Sequence, residues 1–508
     1  MKTASFLTFI RRNAFVLIIF FIAIGYLAFL ASSTQRGVFF SSDGGMKFMI
    51  VKQISQGHGF KYMWLPQPPF VHEIWNAGYF PLKDPFVYAT PQGYLYSFPM
   101  AFQWINAFFY SRFGYGGLYI LPALSAVLLW LFMIILLKYC HLSGNQVAIA
   151  LFVMVFCSPL TVYGATYWEH LPAVLLLFFG IAFILKPPTG LWAAMPSGLI
   201  CGAAVWLRPE ALIMDMLYAL AAILLYFKGK QSVYPAFLAG MFLSVAGFFL
   251  YNKMEYGSFF GVHGYQVLNE DGTGNKMLKG LNNLIEINIR SIHFFPFELL
   301  LIPVLFGLYR FKRVLDLRTR LLLWIVIAYC ILAPFFLPNA GGRQWAARYF
   351  LPIVPIVVVV LLLIEKQWKY MQAGAYMKWF IAAMIACVGF SFYLNTYKGG
   401  IKKLRDENYY RIKPSLDFVT QQKGNVVVLG AGYIAMELGY LFQEKYFFLA
   451  DSDSSLNRLL PLLKQQGIHE FVYIYDVNSP KSLPSLLKNT KISLPKKGDF
   501  SFSNYVIR

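Results

Sequence analysis

Long apolar runs are the feature that most constrains this chain. A transmembrane helix needs about 20 consecutive, mostly apolar residues, and the sequence contains eleven candidate runs of about that length. They cover residues 13–31, 116–138, 145–162, 169–186, 190–207, 209–227, 232–251, 293–311, 319–337, 350–365 and 377–396. The sequence therefore predicts an α-helical polytopic membrane protein with about eleven membrane-spanning helices.

The composition agrees with this fold class. Of the 508 residues, 58 % are hydrophobic and only 13 % are charged, whereas a typical soluble domain has about 25 % charged residues. This balance excludes a disordered chain, a fibrous repeat and an ordinary cytosolic enzyme. The 5 cysteines lie in or beside apolar runs without a Cys-x-x-Cys pair, so neither a disulfide framework nor a zinc site is indicated.

The chain is strongly basic, with 44 Lys and Arg against 23 Asp and Glu and a net charge of +21. Proteins that bind nucleic acids share such an excess. Here the basic residues cluster in short gaps between the apolar runs, which is typical of cytoplasmic loops of membrane proteins. We therefore predict no nucleic-acid partner.

The same charge bias predicts the topology. Lys2 and Arg12 precede the first run, which is longer than a signal-peptide core, so we expect an uncleaved anchor with a cytoplasmic N-terminus. With eleven spans, the basic gaps lie inside and the loops Ser32–Gly93 and Asn252–Ile292 lie outside. The predicted location is the cell (inner) membrane, crossed several times.

A twelfth apolar segment, Tyr94–Ser111, is interrupted by Pro99, Gln103 and Asn106. Its aromatic residues recur at helical spacing, so we predict an interfacial amphipathic helix. Counting this segment as a span would move the next three basic gaps outside, against the positive-inside rule.

Hydropathy falls after residue 396, and short strand-like and helix-like segments alternate there. The pattern predicts a membrane domain over 1–396 and a small extracytoplasmic α/β domain over 397–508. The predicted strands are Asn425–Leu429, Tyr446–Leu449 and Glu470–Tyr475, and the predicted helices are Ile434–Gln443 and Ser454–Gln466.

One motif of this tail matches a dinucleotide fingerprint. Gly430-Ala431-Gly432 follows a predicted strand and opens a helix, and Asp451 lies 21 residues after Gly430. Because the tail is predicted outside, where nicotinamide cofactors are scarce, we interpret the glycines as a tight strand-to-helix turn. We predict no dinucleotide partner.

Acidic residues at the predicted outer face are candidates for chemistry. Asp43 precedes Gly44 and Gly45, which allow close backbone approach, so its carboxylate suits a general base or a metal ligand. The alternative is an Asp that forms a turn in a solvated loop. Glu169 and His170 lie at the outer mouth of the fourth span, where an acid and an imidazole are costly unless they are paired or functional.

Basic residues at the same face supply candidates for anion binding. Arg343 and Arg348 lie in a loop that is predicted outside, against the positive-inside rule. A guanidinium can bind a phosphate through two parallel hydrogen bonds. We predict that they bind a phosphate, and the alternative is contact with lipid headgroups. Arg208 with Glu210 is either a structural ion pair at a helix junction or part of a site. In the second loop, Lys253 and His263 are further candidates.

The order of these motifs resembles the GT-C glycosyltransferases, and within them the protein O-mannosyltransferases and lipid A aminoarabinose transferases. The residues that carry the resemblance are the acid that opens the first loop, the acid before the fourth span, and the run Arg348-Tyr349-Phe350-Leu351-Pro352-Ile353-Val354-Pro355. The resemblance covers essentially the whole chain. It implies a transferase that moves a sugar from a polyprenyl-phosphate donor to a lipid, glycan or protein acceptor at the outer membrane face.

By position, the resemblance implies that Asp43 is the catalytic base or a metal-side carboxylate, and that Glu169 is the second acid of the cavity. Arg343, Arg348 and Tyr349 would hold the donor phosphate. Direct displacement would invert the anomeric centre.

The chain departs from the family pattern at Gly44, where many members have a second acid, and at Glu169, where many have Asp. Whether a divalent cation, Mg²⁺ or Mn²⁺, takes part is therefore open. Its ligands would be Asp43, Glu169 and His170.

Three other functions are alternatives to sugar transfer from a polyprenyl-phosphate donor. An O-antigen ligase or polymerase also uses lipid-linked sugars, but its large functional loop usually comes late in the chain. A transporter or flippase favours inverted repeats and ionisable residues at mid-span, and the charges of this sequence cluster at helix ends. A non-catalytic scaffold does not explain why Asp43, Glu169, Arg343 and Arg348 are all predicted on one side of the membrane.

Overall fold

The structure is a computed structural model that describes most of the chain. The described residues are 2–262, 276–302, 305, 315–337, 339–341, 345–370, 374–406, 410–476, 492–493 and 500–506. Contacts divide the chain into two compact units. Unit 1 comprises Met1–Ser32 and Tyr119–Ile401, and unit 2 comprises Ser33–Leu118 and Lys402–Arg508.

The fold is mostly helical. In chain order, the elements are α1 (Lys2–Ser32), α2 (Ser42–Ser55), α3 (Pro69–Ile74), β1 (Val87–Thr90), β2 (Gly93–Tyr96), α4 (Ala101–Phe113), α5 (Ile120–Tyr139), α6 (Gly144–Phe156), α7 (Leu160–Gly164), α8 (His170–Leu185), α9 (Leu191–Gly202), α10 (Ala204–Leu207), α11 (Ala211–Gly229), α12 (Val233–Tyr256), α13 (Lys276–Phe294), α14 (Leu317–Phe336), α15 (Ile353–Tyr370), α16 (Gly374–Phe392), α17 (Lys413–Gln421), β3 (Val426–Leu429), α18 (Gly432–Glu437), β4 (Tyr446–Leu449), α19 (Asp453–Gln465), β5 (Glu470–Asp476), β6 (Ile492–Ser493) and β7 (Phe500–Val506).

Unit 1 contains most of the apolar helices. Within the described chain, six helical segments are long and apolar enough to cross a membrane: Asn13–Ser32, Ala101–Tyr139, Ala211–Gly229, Val233–Tyr256, Leu317–Phe336 and Lys378–Asp406. Three shorter apolar helices are Gly144–Phe156, His170–Leu185 and Leu191–Leu207. Part of the predicted span 293–311 lies outside the described residues. The chain is thus a multi-pass helical protein, and the number eleven stays a prediction.

Local signals explain where these helices begin and how closely they pack. Ser143 and Gln146 form a capping box at the start of α6, and the Asp316 side chain accepts hydrogen bonds from the first backbone amides of α14. Gly198 of α9 and Gly240 of α12 face the partner helix so closely that an added Cβ would overlap a carbonyl oxygen. Such small residues are the usual means of tight packing between membrane helices.

A five-stranded sheet organises unit 2, in the order β4-β3-β5-β7-β6. β3 pairs in parallel with β4 and β5, whereas β7 is antiparallel to β5 and β6. β3, β4 and β5 lie where the sequence predicts strands; β3 is fully buried, β4 is buried except at its first residue, and β5 is buried in its middle. Between β3 and α18, Gly430 and Gly432 form the predicted tight turn, and the Pro81 carbonyl oxygen packs against Gly432.

The first loop and the tail share one hydrophobic core in unit 2. Met46 and Ile50 of α2 pack in the same buried cluster as Val427 and Phe448 of the sheet. Gly45 makes this possible, because its Cα faces the Met436 carbonyl oxygen with no room for a side chain. Unit 1 ends at Ile401, five residues (401 − 396) after the predicted boundary, and the extracytoplasmic α/β domain over 397–508 stays a prediction.

The prediction of one helix over Tyr94–Ser111 is wrong at its start. Tyr94–Tyr96 belong to β2, which pairs with β1, and the helix begins only at Ala101, after Pro99. Gln103 and Asn106, which interrupt the apolar pattern, are fully buried, while Phe108 and Phe113 are exposed. The polar side chains of α4 therefore face the protein.

The close approach at Gly45 yields a test of the shared core. We expect Gly45→Ala to destabilise the full-length protein by about 1–3 kcal/mol, because the backbone oxygen of Met436 cannot move aside for the methyl group. Thermal unfolding in detergent micelles measures this effect. Gly59→Ala is the matched control, because nothing lies within 4 Å of its added Cβ; equal unfolding temperatures for the two variants would contradict the packing.

Candidate functional site

Arg208 joins two carboxylates in unit 1. Its Nη1 donates to Glu169 Oε1 at 2.9 Å and its Nη2 donates to Glu210 Oε1 at 2.8 Å. The side chain of Glu169 is 3 % exposed, and those of Arg208 and Glu210 are 12 % exposed. Burial acts to lower the pKa of Arg208, but the two carboxylates outweigh it and the pKa is raised. The structure thus contains the Arg208–Glu210 ion pair and adds Glu169 to it.

Helix junctions position these three side chains. Glu169 immediately precedes α8, Arg208 immediately follows α10, and Glu210 immediately precedes α11. Both acids therefore lie at helix N-termini, where the positive end of the helix dipole favours a carboxylate. The arginine crosses between the two ends and ties α8 to α11.

Aromatic rings bracket a second arginine, Arg348. Its guanidinium carbon lies 5.1 Å from the ring centre of Trp168 and 5.0 Å from that of Tyr349, and Nη2 donates to the Tyr349 hydroxyl at 3.2 Å. The Arg208 guanidinium lies 5.6 Å from the same Tyr349 ring. These distances are within the range of cation–π attraction. Tyr349 therefore interacts with both predicted arginines.

His170 belongs to the same cluster but is not a close partner of the acid. Its Nδ1 lies 4.0 Å from Glu169 Oε1, which is beyond hydrogen-bond distance. The centre of its ring lies 4.8 Å from the ring centre of Trp168 and 5.5 Å from that of Tyr163. The structure brings together five predicted residues besides Glu169: His170, Arg208, Glu210, Arg348 and Tyr349.

Hydrogen bonds to the backbone fix the turn that carries Arg348. The Tyr163 hydroxyl donates to the Trp345 carbonyl at 2.6 Å, and the Tyr329 hydroxyl donates to the Tyr349 carbonyl at 2.9 Å. Trp345 Nε1 donates to Asn395 Oδ1 at 3.2 Å. No local pattern in the sequence marks Tyr163, Tyr329 and Asn395 as supports, because each acts on residues distant in the chain.

Asp43 lies in unit 2, in the first turn of α2 and not in an irregular loop. The carboxylate is favoured there by the helix N-terminus. Lys47, one turn later, is 1 % exposed, and its ammonium lies 5.1 Å from the Phe98 ring centre. Lys47 is not among the predicted site residues, although a lysine four residues after an acid is a recognisable helical pair.

The other predicted residues have simpler surroundings or lie outside the described chain. Arg343 and His263 are outside the described residues. Lys253, in the last turn of α12, donates to the Gly257 carbonyl at 3.0 Å. Among the described residues, no three or more His, Cys, Asp or Glu side chains form a group that could hold a metal ion, and the metal ligands stay a prediction.

Two further acids are buried inside helical segments, each within about a turn of a helix end. Asp215 is 1 % exposed, a turn inside α11, and accepts a hydrogen bond from the Cys201 thiol at 3.4 Å. Glu298 is 9 % exposed and accepts from the Ser291 hydroxyl at 2.6 Å. Each is a single acid within an apolar segment, which hydropathy averages conceal.

Known proteins resemble this chain in structure. No family model and no curated protein matches its sequence. The crystal structure of ArnT from Cupriavidus metallidurans bound to undecaprenyl phosphate matches with a TM-score of 0.56 and 11 % identity, over 97 % of this chain and 98 % of that one. This chain has the GT-C fold. The apo structure of the same ArnT matches with a TM-score of 0.54 and 11 % identity, over 99 % and 98 % of the two chains.

The GT-C fold confirms the fold class and the structural resemblance that the motif order predicts. It places the chain among multi-pass membrane proteins. At 11 % identity the comparison concerns the fold, so the roles of individual residues rest on the geometry and the sequence motifs.

The buried ion-pair cluster predicts a strong effect of removing its arginine. Arg208→Met removes a guanidinium that binds two buried carboxylates, Glu169 and Glu210, so we expect a loss of about 3–5 kcal/mol in stability. The unfolding temperature in detergent is the measurement. Lys413→Met is the control, because its partner Asp417 is 47 % exposed and such pairs contribute about 0.5 kcal/mol. Similar losses for both variants would show that the cluster is not stabilising.

Proposed function

We propose that this protein is an integral-membrane glycosyltransferase that moves a sugar from a polyprenyl-phosphate carrier to a lipid, glycan or protein acceptor at the outer face of the membrane. The observation that carries the proposal is the match, over 97 % of the chain, to an ArnT structure that holds undecaprenyl phosphate. The motif order and the arginine–carboxylate cluster of unit 1 support the same function.

Arg348 and Tyr349 are the proposed contacts of the donor phosphate. Arg348 is half-buried, and Trp168 and Tyr349 limit the movement of its guanidinium. A guanidinium held in this way offers a flat fork of donors to phosphate oxygens. Its charge stabilises the negative charge that develops on the leaving phosphate, and pre-organisation increases this effect.

Glu169 and Glu210 have a supporting role in this proposal. Both bind Arg208, whose guanidinium lies over Tyr349. They hold the tyrosine ring, and through it Arg348, in one arrangement. We therefore assign Glu169 to positioning of the phosphate site, which differs from the role of cavity acid that the resemblance implies.

Asp43 is the proposed general base, on the strength of the resemblance and of its partly exposed place in the first turn of α2. It removes the proton of the acceptor hydroxyl while the acceptor oxygen attacks the anomeric carbon. The bond from that carbon to the phosphate oxygen breaks, and the phosphate leaves with the bonding electrons. Attack from the opposite face inverts the configuration.

Binding of the carrier lipid tests the role of Arg348. We expect Arg348→Ala to weaken binding of undecaprenyl phosphate to the purified full-length protein at least tenfold, since hydrogen bonds to charged groups contribute about 1.5–3 kcal/mol. Microscale thermophoresis in detergent measures it. Arg320→Ala, which removes an exposed arginine from the first turn of α14, is the control. Unchanged affinity in Arg348→Ala would exclude Arg348 from the phosphate site.

Turnover tests the role of Asp43. We expect Asp43→Asn to reduce sugar transfer by a factor of about 10²–10⁴, the usual contribution of a general base, with expression and carrier binding unchanged. The assay follows release of polyprenyl phosphate from a panel of polyprenyl-phosphate sugars in proteoliposomes that contain membrane extract as acceptor. Asp417→Asn, which changes an exposed acid, is the control; turnover retained by Asp43→Asn would overturn the assignment.

A further inference from the structure

A lateral groove runs between α5 and α8 of unit 1. Its volume is about 530 Å³, within the roughly 300–1,000 Å³ that is typical of ligand sites. Phe132 and Ile135 of α5 and Phe178 and Phe179 of α8 are among the side chains that line it. At one end the lining changes to Lys186 and the prolines that follow it. The groove is therefore apolar along its length and cationic at its end.

The length of the groove matches one leaflet of a bilayer. The lining residues extend from Phe132 to Tyr139 on α5 and from Phe178 to Lys186 on α8, seven (139 − 132) and eight (186 − 178) residues, or about 11–12 Å of helix. One leaflet contributes about 15 Å of hydrocarbon, half of the roughly 30 Å core. An acyl chain of a phospholipid fits this length, whereas a long polyprenyl chain exceeds it.

Lys186 supplies a positive charge at the mouth. Its side chain is exposed, and it forms no ion pair with any residue that the structure describes. Two further cations reinforce the charge at this end. Arg318 donates to the Leu185 carbonyl at 2.7 Å, and Lys366 donates to the Cys140 carbonyl at 3.0 Å.

Lys186, Arg318 and Lys366 all interact electrostatically with one side chain, the Cys140 thiol. Burial raises the pKa of the Cys140 thiol, while Lys186, Lys366 and Arg318 act to lower it and Asp316 acts to raise it. Asp316 is the cap of α14 and is engaged by the Thr319 hydroxyl at 2.6 Å. Among the residues that the structure describes, the charged groups that act on this thiol are three cations and one bound carboxylate, a balance that favours an anion.

Exposed aromatic residues place this end at the level of lipid headgroups. Tyr139 is 67 % exposed at the end of α5, and Trp192 is 94 % exposed at the start of α9; Tyr and Trp are typical of the membrane–water interface. Lys186 follows α8, whereas Glu169 precedes it, so the 16 residues of α8 separate the groove mouth from the arginine–carboxylate cluster by about 24 Å. The groove is thus separate from the candidate phosphate site.

We propose that this groove binds one acyl chain of an anionic diacyl phospholipid, with the lipid phosphate on Lys186. Basic pockets between membrane helices commonly bind anionic headgroups in this way. The bound chain fills the apolar space between α5 and α8, and the phosphate completes the charge balance at the ends of both helices. The site does not depend on the proposed glycosyltransferase activity.

Lipid titration tests the charge at the mouth. Phosphatidylglycerol and phosphatidylcholine with the same acyl chains are added separately to the full-length protein in detergent, and native mass spectrometry measures the bound fractions. We expect tighter binding of phosphatidylglycerol. Lys186→Gln lowers its affinity about fivefold and lowers that of phosphatidylcholine less, because the choline cation of phosphatidylcholine already offsets its phosphate charge. Lys228→Gln is the control, because Lys228 is exposed in the last turn of α11 and does not line the groove.

A second pair of variants tests the groove itself. Ala182 lines the groove, so Ala182→Trp fills it and lowers the affinity for both lipids. Leu220→Trp introduces the same side chain at an exposed position of α11 and leaves binding unchanged. Equal affinities for the two lipids, or equal effects of Lys186→Gln and Lys228→Gln, would overturn the proposal. Loss of undecaprenyl phosphate binding in Lys186→Gln would also overturn it, because the groove would then hold the carrier lipid.

Discussion

A single arginine, Arg208, holds the ends of two helices of unit 1 together. Glu169 immediately precedes α8 and Glu210 immediately precedes α11, and the guanidinium between them offsets the cost of burying both carboxylates. The same guanidinium packs against Tyr349, which in turn contacts Arg348. In the proposed function, the geometry of the candidate phosphate site depends on this ion-pair cluster, and its two acids act without direct contact with substrate.

Unit 2 depends on a different constraint, which is close backbone contact. The absence of a side chain at Gly45 lets α2 pack directly on α18, so that the segment after the first apolar helix and the C-terminal sheet form one core. Gly432 has a similar role, since the Pro81 carbonyl packs against it. These glycines serve packing, which gives a structural reason for a motif that resembles a dinucleotide fingerprint.

Local patterns predicted a large part of this fold. Apolar runs placed helices such as α11 and α12, because hydropathy over about 20 residues is a strong signal. Alternating short segments placed β3, β4 and β5, and the positions of the glycines predicted the turn before α18. The start of α4 was missed, because pairing of β2 with β1 outweighed the helical spacing of the aromatic residues.

The partners within the site were harder to predict. The sequence marked Glu169 and Arg208 as candidates, but their hydrogen bond joins residues 39 positions apart, and no local pattern encodes such a pair. Lys47 was missed because its burial results from the packing of α2 in the fold. Asp215 was missed because one acid hardly changes the mean hydropathy of an apolar helix.

A structure of the full-length protein with undecaprenyl phosphate, determined by electron cryomicroscopy in lipid nanodiscs, tests the central claim most directly. The account predicts density for the phosphate within hydrogen-bond distance of the Arg348 guanidinium and the Tyr349 hydroxyl, with Arg208 still bound to Glu169 and Glu210. Density for the phosphate beside Lys186, or an Arg348 side chain that does not contact the bound phosphate, would contradict it.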